Sequence, residues 1–278
     1  MEVIITPEEM QGWSRQQHRT GLTVGLVPTM GCLHEGHLSL IDTAATRCDV
    51  VVVSLFVNPT QFGPNEDFAK YPRTVEEDLA RCRERGVAAV FLPQAAVMYA
   101  GDASVSVVEE GLSGRWCGAS RPGHFNGVCT VVAKLFNIAL PDVAVFGQKD
   151  YQQAAIIKRM VRDLNFPLEV VVAPIIRDDD GLAKSSRNGY LSVAEREMGL
   201  GLSRALGLAR AAVATGESDA GEVVRRMRQH LTEAGLRVDY VGIADVETLE
   251  PVSVLAAGQV ALVAAYAGKT RLIDNTIL

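Results

Sequence analysis

Apolar and polar positions alternate along this 278-residue chain with two different periods, and the changes of period mark the predicted elements. Thr6-Pro7-Glu8-Glu9 sets a hydroxyl at an N-cap, a proline at the first helical position and a glutamate at the third. That combination predicts a helix running to about Thr20. Leu22 to Val27 reads as a strand, and the β-branched run Val50 to Phe56 as a buried one. Thr74-Val75-Glu76-Glu77 repeats the capping pattern and predicts a second helix, followed by a strand at Ala88 to Leu92. Past a glycine-rich connection, Val128 to Leu140 is helical in period and Val143 to Phe146 is a short strand. Tyr151 to Leu164 is a helix, and Leu168 to Val172 is a strand.

Strand and helix in alternation predict an α/β fold with a parallel sheet, in which ligands sit beyond the carboxyl ends of the strands. From about Ile175 the pattern changes to a loop, two long helices (Val193 to Thr215, Ala220 to Ala234) and strands near Val238 to Ala244, Val260 to Tyr266 and Arg271 to Ile273. The expected organisation is therefore a domain over residues 1–175 and a smaller α+β domain over 176–278. No internal repeat or low-complexity segment interrupts it.

Composition narrows the partners. A net charge of -6 argues against nucleic acid, because binding through phosphates needs clustered Lys and Arg. The five cysteines are odd in number and form no CxxC pair, which fits a reducing, cytoplasmic setting better than a disulfide framework or zinc knuckle. No apolar stretch approaches the ~20 residues of a membrane span, and the N-terminus lacks a signal pattern. Two motif fragments are decoys. Gly268-Lys269-Thr270 ends like a P-loop, but the required earlier glycine is Val263; Gly199-Leu200-Gly201 lacks its third glycine at Arg204.

Four constellations lie at predicted strand ends. Pro28 to His37 (PTMGCLHEGH) leads from a strand into a helix expected over His37 to Arg47. Gly31 and Gly36 let backbone approach a ligand, and the helix start offers N–H groups to phosphate. His34 and His37, three apart, would share a face; with only Cys32 nearby they lack the ligands of a zinc site. Asn58-Pro59-Thr60-Gln61-Phe62 follows the strand ending at Phe56 and is either turn chemistry or a place where hydroxyls and carboxylates are read. Phe146 to Gln153 (FGQKDYQQ) passes through Gly147 into a helix that Asp150 can cap, with Lys149 as a mobile cation and one of Gln152 and Gln153 pointing inward. Arg177 to Asn188 (RDDDGLAKSSRN) begins as an acidic turn, only weakly a metal site, and ends with Lys184, Ser185, Ser186 and Arg187, a composition suited to polyphosphate.

Taken in order, PTMGCLHEGHLSLI, SLFVNPTQFGPNEDFAKYPRT, FGQKDYQQ, GLAKSSRN and the closing TRLIDN resemble the pantoate–β-alanine ligases, the pantothenate synthetase family, over nearly the whole chain. The HxGH element alone indicates the wider class of adenylyl-transferring enzymes, which includes class I aminoacyl-tRNA synthetases and nucleotidylyltransferases. The resemblance implies a Rossmann-like, doubly wound parallel sheet of the HxGH nucleotidyl-transferase type, with the smaller C-terminal domain carrying the AKSSRN loop and closing over the site. It implies ATP with Mg²⁺, the substrates (R)-pantoate and β-alanine, a pantoyl-adenylate intermediate and a homodimer through the N-terminal domain. By motif position, the ATP site would comprise Met30, Gly31, Cys32, Leu33, His34, Glu35, Gly36 and His37, then Gly147, Gln148, Lys149 and Asp150, then Ile176, Lys184, Ser185, Ser186 and Arg187. Gln61 and Gln153, with Asn58, would hold pantoate. The direct magnesium ligands stay open, Asp78 being a weak candidate. At Lys184 the family usually has an apolar residue, so this lysine either adds a phosphate contact or points to solvent.

The implied reaction constrains the roles. A carboxylate with a pKa near ~4 is already ionised at neutral pH, so its attack on the α-phosphorus needs no general base. Mg²⁺, Lys149, Arg187 and the histidines would offset the charge that builds on the phosphates, which makes His34 and His37 hydrogen-bond donors first. Family assignment gives His37 the proton-donor role, although the sequence does not separate it from His34. Amides at Gln61 and Gln153 both donate and accept, matching pantoate's hydroxyls and carboxylate. The loop Phe62 to Tyr71 and the segment Lys184 to Arg187 are expected covers that keep water from the acyl adenylate. A tRNA synthetase-like enzyme and a non-catalytic ATP sensor are the competing classes.

Overall fold

The computed structural model describes residues 1–64 and 66–278; Asn65, within the expected cover loop, lies outside the described residues. In chain order the elements are β1 (Glu2–Ile4), α1 (Pro7–Arg19), β2 (Val24–Thr29), α2 (Glu35–Ala45), β3 (Val50–Leu55), α3 (Val75–Glu84), β4 (Ala89–Phe91), α4 (Ala95–Met98) and α5 (Trp116–Ser120). They continue with α6 (His124–Ala139), β5 (Val143–Gly147), α7 (Tyr151–Asp163), β6 (Glu169–Ala173), α8 (Val193–Ala214), α9 (Ala220–Glu233), β7 (Arg237–Ala244), β8 (Val260–Ala267) and β9 (Thr270–Ile277). Two compact units result. The first comprises Met1–Gly114, Arg121–Gly147 and Gln153–Pro174, and the second Arg115–Ser120, Gln148–Gln152 and Ile175–Leu278. Among the described residues no helix is long and apolar enough to cross a membrane.

The first unit is built on a six-stranded parallel sheet in the order β1-β4-β3-β2-β5-β6. The order reverses between β2 and β5, the switch point where such sheets bind ligands. Val27, Val53, Val90 and Val145 from the strands pack with Ile41 of α2 and Leu79 of α3 in one buried cluster. The β2–β5 pairing stops at Leu26 and Ala144, whereas β2–β3 pairing continues to Thr29 and Leu55. Its cause is covalent. The carbonyl of Val24 faces β5, accepting from Asp142 N–H, and that of Thr29 faces β3, accepting from Phe56 N–H. By alternation Pro28 turns toward β5, and it has no N–H to continue the ladder.

Local chemistry explains where boundaries moved. β2 begins two residues later than the expected Leu22, because α1 ends in a Schellman turn: Gly21 is left-handed (φ 82°), and Leu22 N–H is donated to Gln17 O at 3.1 Å. Thr6 caps α1 as expected, accepting from Glu9 N–H at 3.3 Å. Thr74 does not cap α3; its hydroxyl donates instead to Asp78 Oδ2 at 3.2 Å, so the expected capping box is absent. α6 starts four residues before the expected Val128, and β1 was not anticipated.

The second unit joins the antiparallel sheet β7-β8-β9 to α8 and α9 around Leu206, Met227, Leu231, Ile243 and Val263. Ser192 forms a capping box with Glu195 at the start of α8, and Asp219 caps α9 through Glu222 N–H at 3.1 Å. The short helix α5 belongs here because Trp116 lies on β7: a Cβ added to Gly242 would fall 2.2 Å from its ring. Trp116 Nε1 also donates to Leu249 O at 2.9 Å.

Candidate active site

The loop from β2 to α2 is braced from α3. Gly31 and Cys32 are both left-handed (φ 82° and 51°), a conformation that costs roughly 1–2 kcal/mol at a residue with a Cβ. The buried Asp78 carboxylate offsets that strain, accepting Cys32 N–H at 2.8 Å and Leu33 N–H at 2.7 Å. Arg81, one turn on, donates to Leu33 O. Asp78 is thus an anchor of the loop, with each carboxylate oxygen engaged by a backbone N–H. Burial and the Asp78 charge push the Cys32 thiol up, away from thiolate chemistry.

α2 starts at Glu35, two residues before the expected His37, and His34 is its N-cap. His34 Nδ1 accepts Gly36 N–H at 3.1 Å, and His37 Nδ1 accepts His34 N–H at 3.4 Å. The two rings stack with centroids 4.0 Å apart. An Nδ1 that accepts carries no proton, so each neutral ring holds its proton on Nε2, as a donor. Glu35 is exposed and Gly36 half-buried in the same turn.

Gln61 is oriented by a chain of bonds. Asn58 is 1% exposed, and its Oδ1 accepts Thr60 N–H at 3.3 Å and Tyr99 Oη–H at 2.8 Å. That fixes its Nδ2, which donates to Gln61 Oε1 at 2.9 Å and to Gly127 O at 3.1 Å. Gln61 consequently presents its own Nε2, which lies 3.4 Å from Met30 Sδ. The side chain of Asn58 thereby positions Gln61. The Gln61 carbonyl is held at 2.8 Å by His124 Nδ1, whose Nε2 accepts from Arg121 at 2.9 Å. Arg121 in turn grips Glu66 with two bonds of 2.6 Å. None of Arg81, Arg121, His124 and Glu66 was found from sequence; RPGHF was the available signal for two of them, a left-handed glycine opening a helix. Gln153, half-buried in the same unit, has no side-chain hydrogen bond among the described residues.

In the second unit Lys149 sits in a single helical turn, Gln148–Asp150, directly after Gly147. Its side chain is half-buried. Burial pushes its ammonium below the ordinary lysine value, Asp150 and Asp274 draw it up, and Arg187 lowers it further. Its Nζ makes no hydrogen bond or ion pair among the described residues. Gln152, the inward glutamine, is structural: it accepts Cys117 N–H at 2.9 Å and donates to Arg115 O at 2.8 Å. Ser185 caps the turn Ser186–Tyr190 by accepting Arg187 N–H at 3.3 Å. Lys184 Nζ pairs with Asp178 Oδ1 at 2.8 Å, and its backbone N–H is donated to Ile176 O at 2.9 Å. Burial raises the Asp178 carboxyl, but Lys184 and Arg196 together bring it below the usual range. The acidic run is therefore a salt-bridged turn.

The chain matches the sequence model described as pantoate-beta-alanine ligase over residues 2–277. It is 59% identical to the pantothenate synthetase of Acidobacterium capsulatum, over 92% of this chain and 86% of that one. Identity with the Moorella thermoacetica pantothenate synthetase is 52%, over 100% of this chain and 99% of the relative. Among solved structures, the pantothenate synthetase of Thermus thermophilus aligns with a TM-score of 0.93 at 45% identity, covering 100% and 99% of the two chains. The Francisella tularensis pantoate-beta-alanine ligase, complexed with beta-gamma ATP and beta-alanine, aligns with a TM-score of 0.83 at 31% identity, covering 100% and 97%. The chain belongs to the pantoate–β-alanine ligase family.

Proposed function

We infer that the chain uses ATP to activate (R)-pantoate as an acyl adenylate and transfers the pantoyl group to β-alanine, giving pantothenate, AMP and diphosphate. Family membership along the whole chain supports the reaction, and the ligands of the Francisella tularensis structure support ATP and β-alanine as substrates. The geometric observation that carries the site assignment is the pair of imidazoles at the start of α2, both with Nδ1 turned to backbone N–H groups. Their Nε2–H groups are donors for phosphate oxygens, where charge accumulates as the pantoate carboxylate displaces diphosphate. Lys149, Ser185, Ser186 and Arg187 supply further cations and hydroxyls to the nucleotide, with Lys184 retained by Asp178.

Pantoate is read by Gln61 and Gln153. Asn58 occupies the acceptor end of the Gln61 amide and leaves the donor end beside Met30 Sδ, a donor suited to a carboxylate or hydroxyl oxygen. In the second step the neutral amine of β-alanine attacks the mixed anhydride, and His37 passes a proton as AMP leaves. Magnesium enters with ATP as part of the substrate. Among the described residues no group of three or more His, Cys, Asp or Glu side chains is arranged to hold an ion. A homodimer formed through the first unit and a cytoplasmic setting belong to the same reading, and a monomeric mass in sedimentation overturns the dimer.

Isotope exchange between diphosphate and ATP tests the assignment. It should require pantoate and be indifferent to proteinogenic amino acids. Exchange driven by an amino acid points to a synthetase-like enzyme, and tight ATP binding without diphosphate release points to a sensor.

A further inference from the structure

We propose that Asn275 is a positioning residue for adenylation, acting through Lys149 by bracing the turn that carries it; this rests on the reading of Lys149 as a cation that meets ATP. Asn275 stands on β9, in the closing TRLIDN segment to which neither the motif reading nor the reaction gives a task. It is 2% exposed. Both hydrogens of its amide are used: Nδ2 donates to Gln148 O at 2.9 Å and to Lys149 O at 3.0 Å. The amide oxygen accepts Gln148 Nε2 at 3.2 Å.

Those two carbonyls belong to the peptide planes on either side of the Lys149 Cα. Because each plane is rigid, holding both fixes the backbone torsions of Lys149 and the direction in which its side chain leaves. Nζ has no hydrogen bond or ion pair of its own among the described residues, so the observed hydrogen-bonded restraint acts through the backbone. The adjacent strand residue, Asp274, is held by Arg177 through bonds of 2.6 and 2.9 Å and makes no hydrogen bond to the Lys149 turn among the described residues. Asp274 also accepts Asn275 N–H at 2.8 Å, which tightens the strand at the point where the clamp is made. An amide is the group this position needs. Aspartate would set an anion against two carbonyl oxygens, and alanine would leave both carbonyls buried and unpaired.

A double-mutant cycle on the full-length enzyme decides the matter. Asn275→Ala should lower pantoate-dependent diphosphate exchange about 10²-fold, the cost of a displacement of roughly 1 Å at a positioned group. The KM for β-alanine should stay within about 3-fold of wild type, as expected of an effect confined to the nucleotide-bearing step. Lys149→Ala should be at least as slow, and the double variant no slower than Lys149→Ala alone, because two residues acting through one group do not add. Multiplicative losses, or wild-type exchange in a folded Asn275→Ala, overturn the inference while leaving the role of Lys149 intact. Wild-type exchange in Lys149→Ala overturns the role of Lys149 and the inference with it. Should Asn275→Ala fail to fold, the same cycle is run with Asn275→Thr, which adds no charge, suits a strand and can donate only one hydrogen, so that the clamp on both carbonyls is lost.

Discussion

Asp78, in the first turn of α3, holds the backbone N–H of Leu33 at 2.7 Å across 45 residues of sequence. With Cys32 N–H on its other oxygen, this carboxylate keeps two consecutive left-handed residues in place. Asp78→Ala should cost about 2–4 kcal/mol of unfolding free energy in urea, since two buried N–H groups lose a charged acceptor. Diphosphate exchange should fall more than about 10-fold, because the histidine turn loses its support. Wild-type stability in the variant removes the anchor role.

The histidine tautomers give a sharper substitution test than alanine does. Glutamine places an amide N–H near the position of Nε2–H, whereas asparagine reproduces the Nδ1 side. His37→Gln should therefore retain at least about 10-fold more single-turnover adenylation than His37→Ala or His37→Asn, given that one donor to a developing oxyanion is worth about 10²–10³. Equal losses in all three would mean that the ring works through its Nδ1.

At Gly127 an added Cβ would fall 2.4 Å from Thr60 O and 2.7 Å from Gln61 N, both backbone atoms that cannot swing aside. Gly127→Ala should push the Asn58–Gln61 turn outward and raise the KM for pantoate about 10-fold or more, with the KM for ATP changed far less. Steady-state kinetics with each substrate varied in turn provides the comparison. Equal changes in the two constants would separate Gly127 from pantoate binding.

Lys184 is a partner of Asp178, which keeps Arg196 when the lysine is lost. Lys184→Met, the apolar type usual in the family, should change stability by less than about 1 kcal/mol and the KM for ATP by no more than about 3-fold. A larger rise in the KM for ATP would place the ammonium on the nucleotide.

Burial lowers the Lys149 pKa from its ordinary 10.5, which dictates a sign for alkaline behaviour. Between the lowered folded value and the unfolded one, the unfolded chain binds the extra proton, so this group's contribution to stability rises with pH. Activity moves the opposite way, because the cation is lost. The plot of log kcat/KM for ATP in the exchange reaction should bend downward below pH 10.5, and Lys149→Arg should move that bend to higher pH. An unmoved bend assigns the titration to another group.

The parts of the molecule legible in its sequence are those with a local pattern. Glycines at 31 and 36 between an apolar run and a helix marked the histidine turn, and Gly147 marked the turn of Lys149. The braces were hidden because they span 45 residues from Asp78 to Leu33, 63 from His124 to Gln61, and 126 from Asn275 to Lys149. Single polar residues at such separations leave no periodic trace. Thr6 and Thr74 show how context overrides a motif: both precede the same TxEE-like start, yet Thr74 donates to Asp78, whose carboxylate is drawn to the neighbouring loop. The residue type of Asn58 suits a ligand, and only its burial and its five hydrogen bonds reveal that it also orients the glutamine.

Pro28 makes the gap between β2 and β5 a property of composition rather than of conformation. A ring nitrogen without hydrogen cannot be rotated, protonated or solvated into a donor, so no thermal excursion of the chain can zip the two strands together past Leu26. The gap is therefore present without any prior separation of the strands. One atom the chain never had keeps that opening in the sheet.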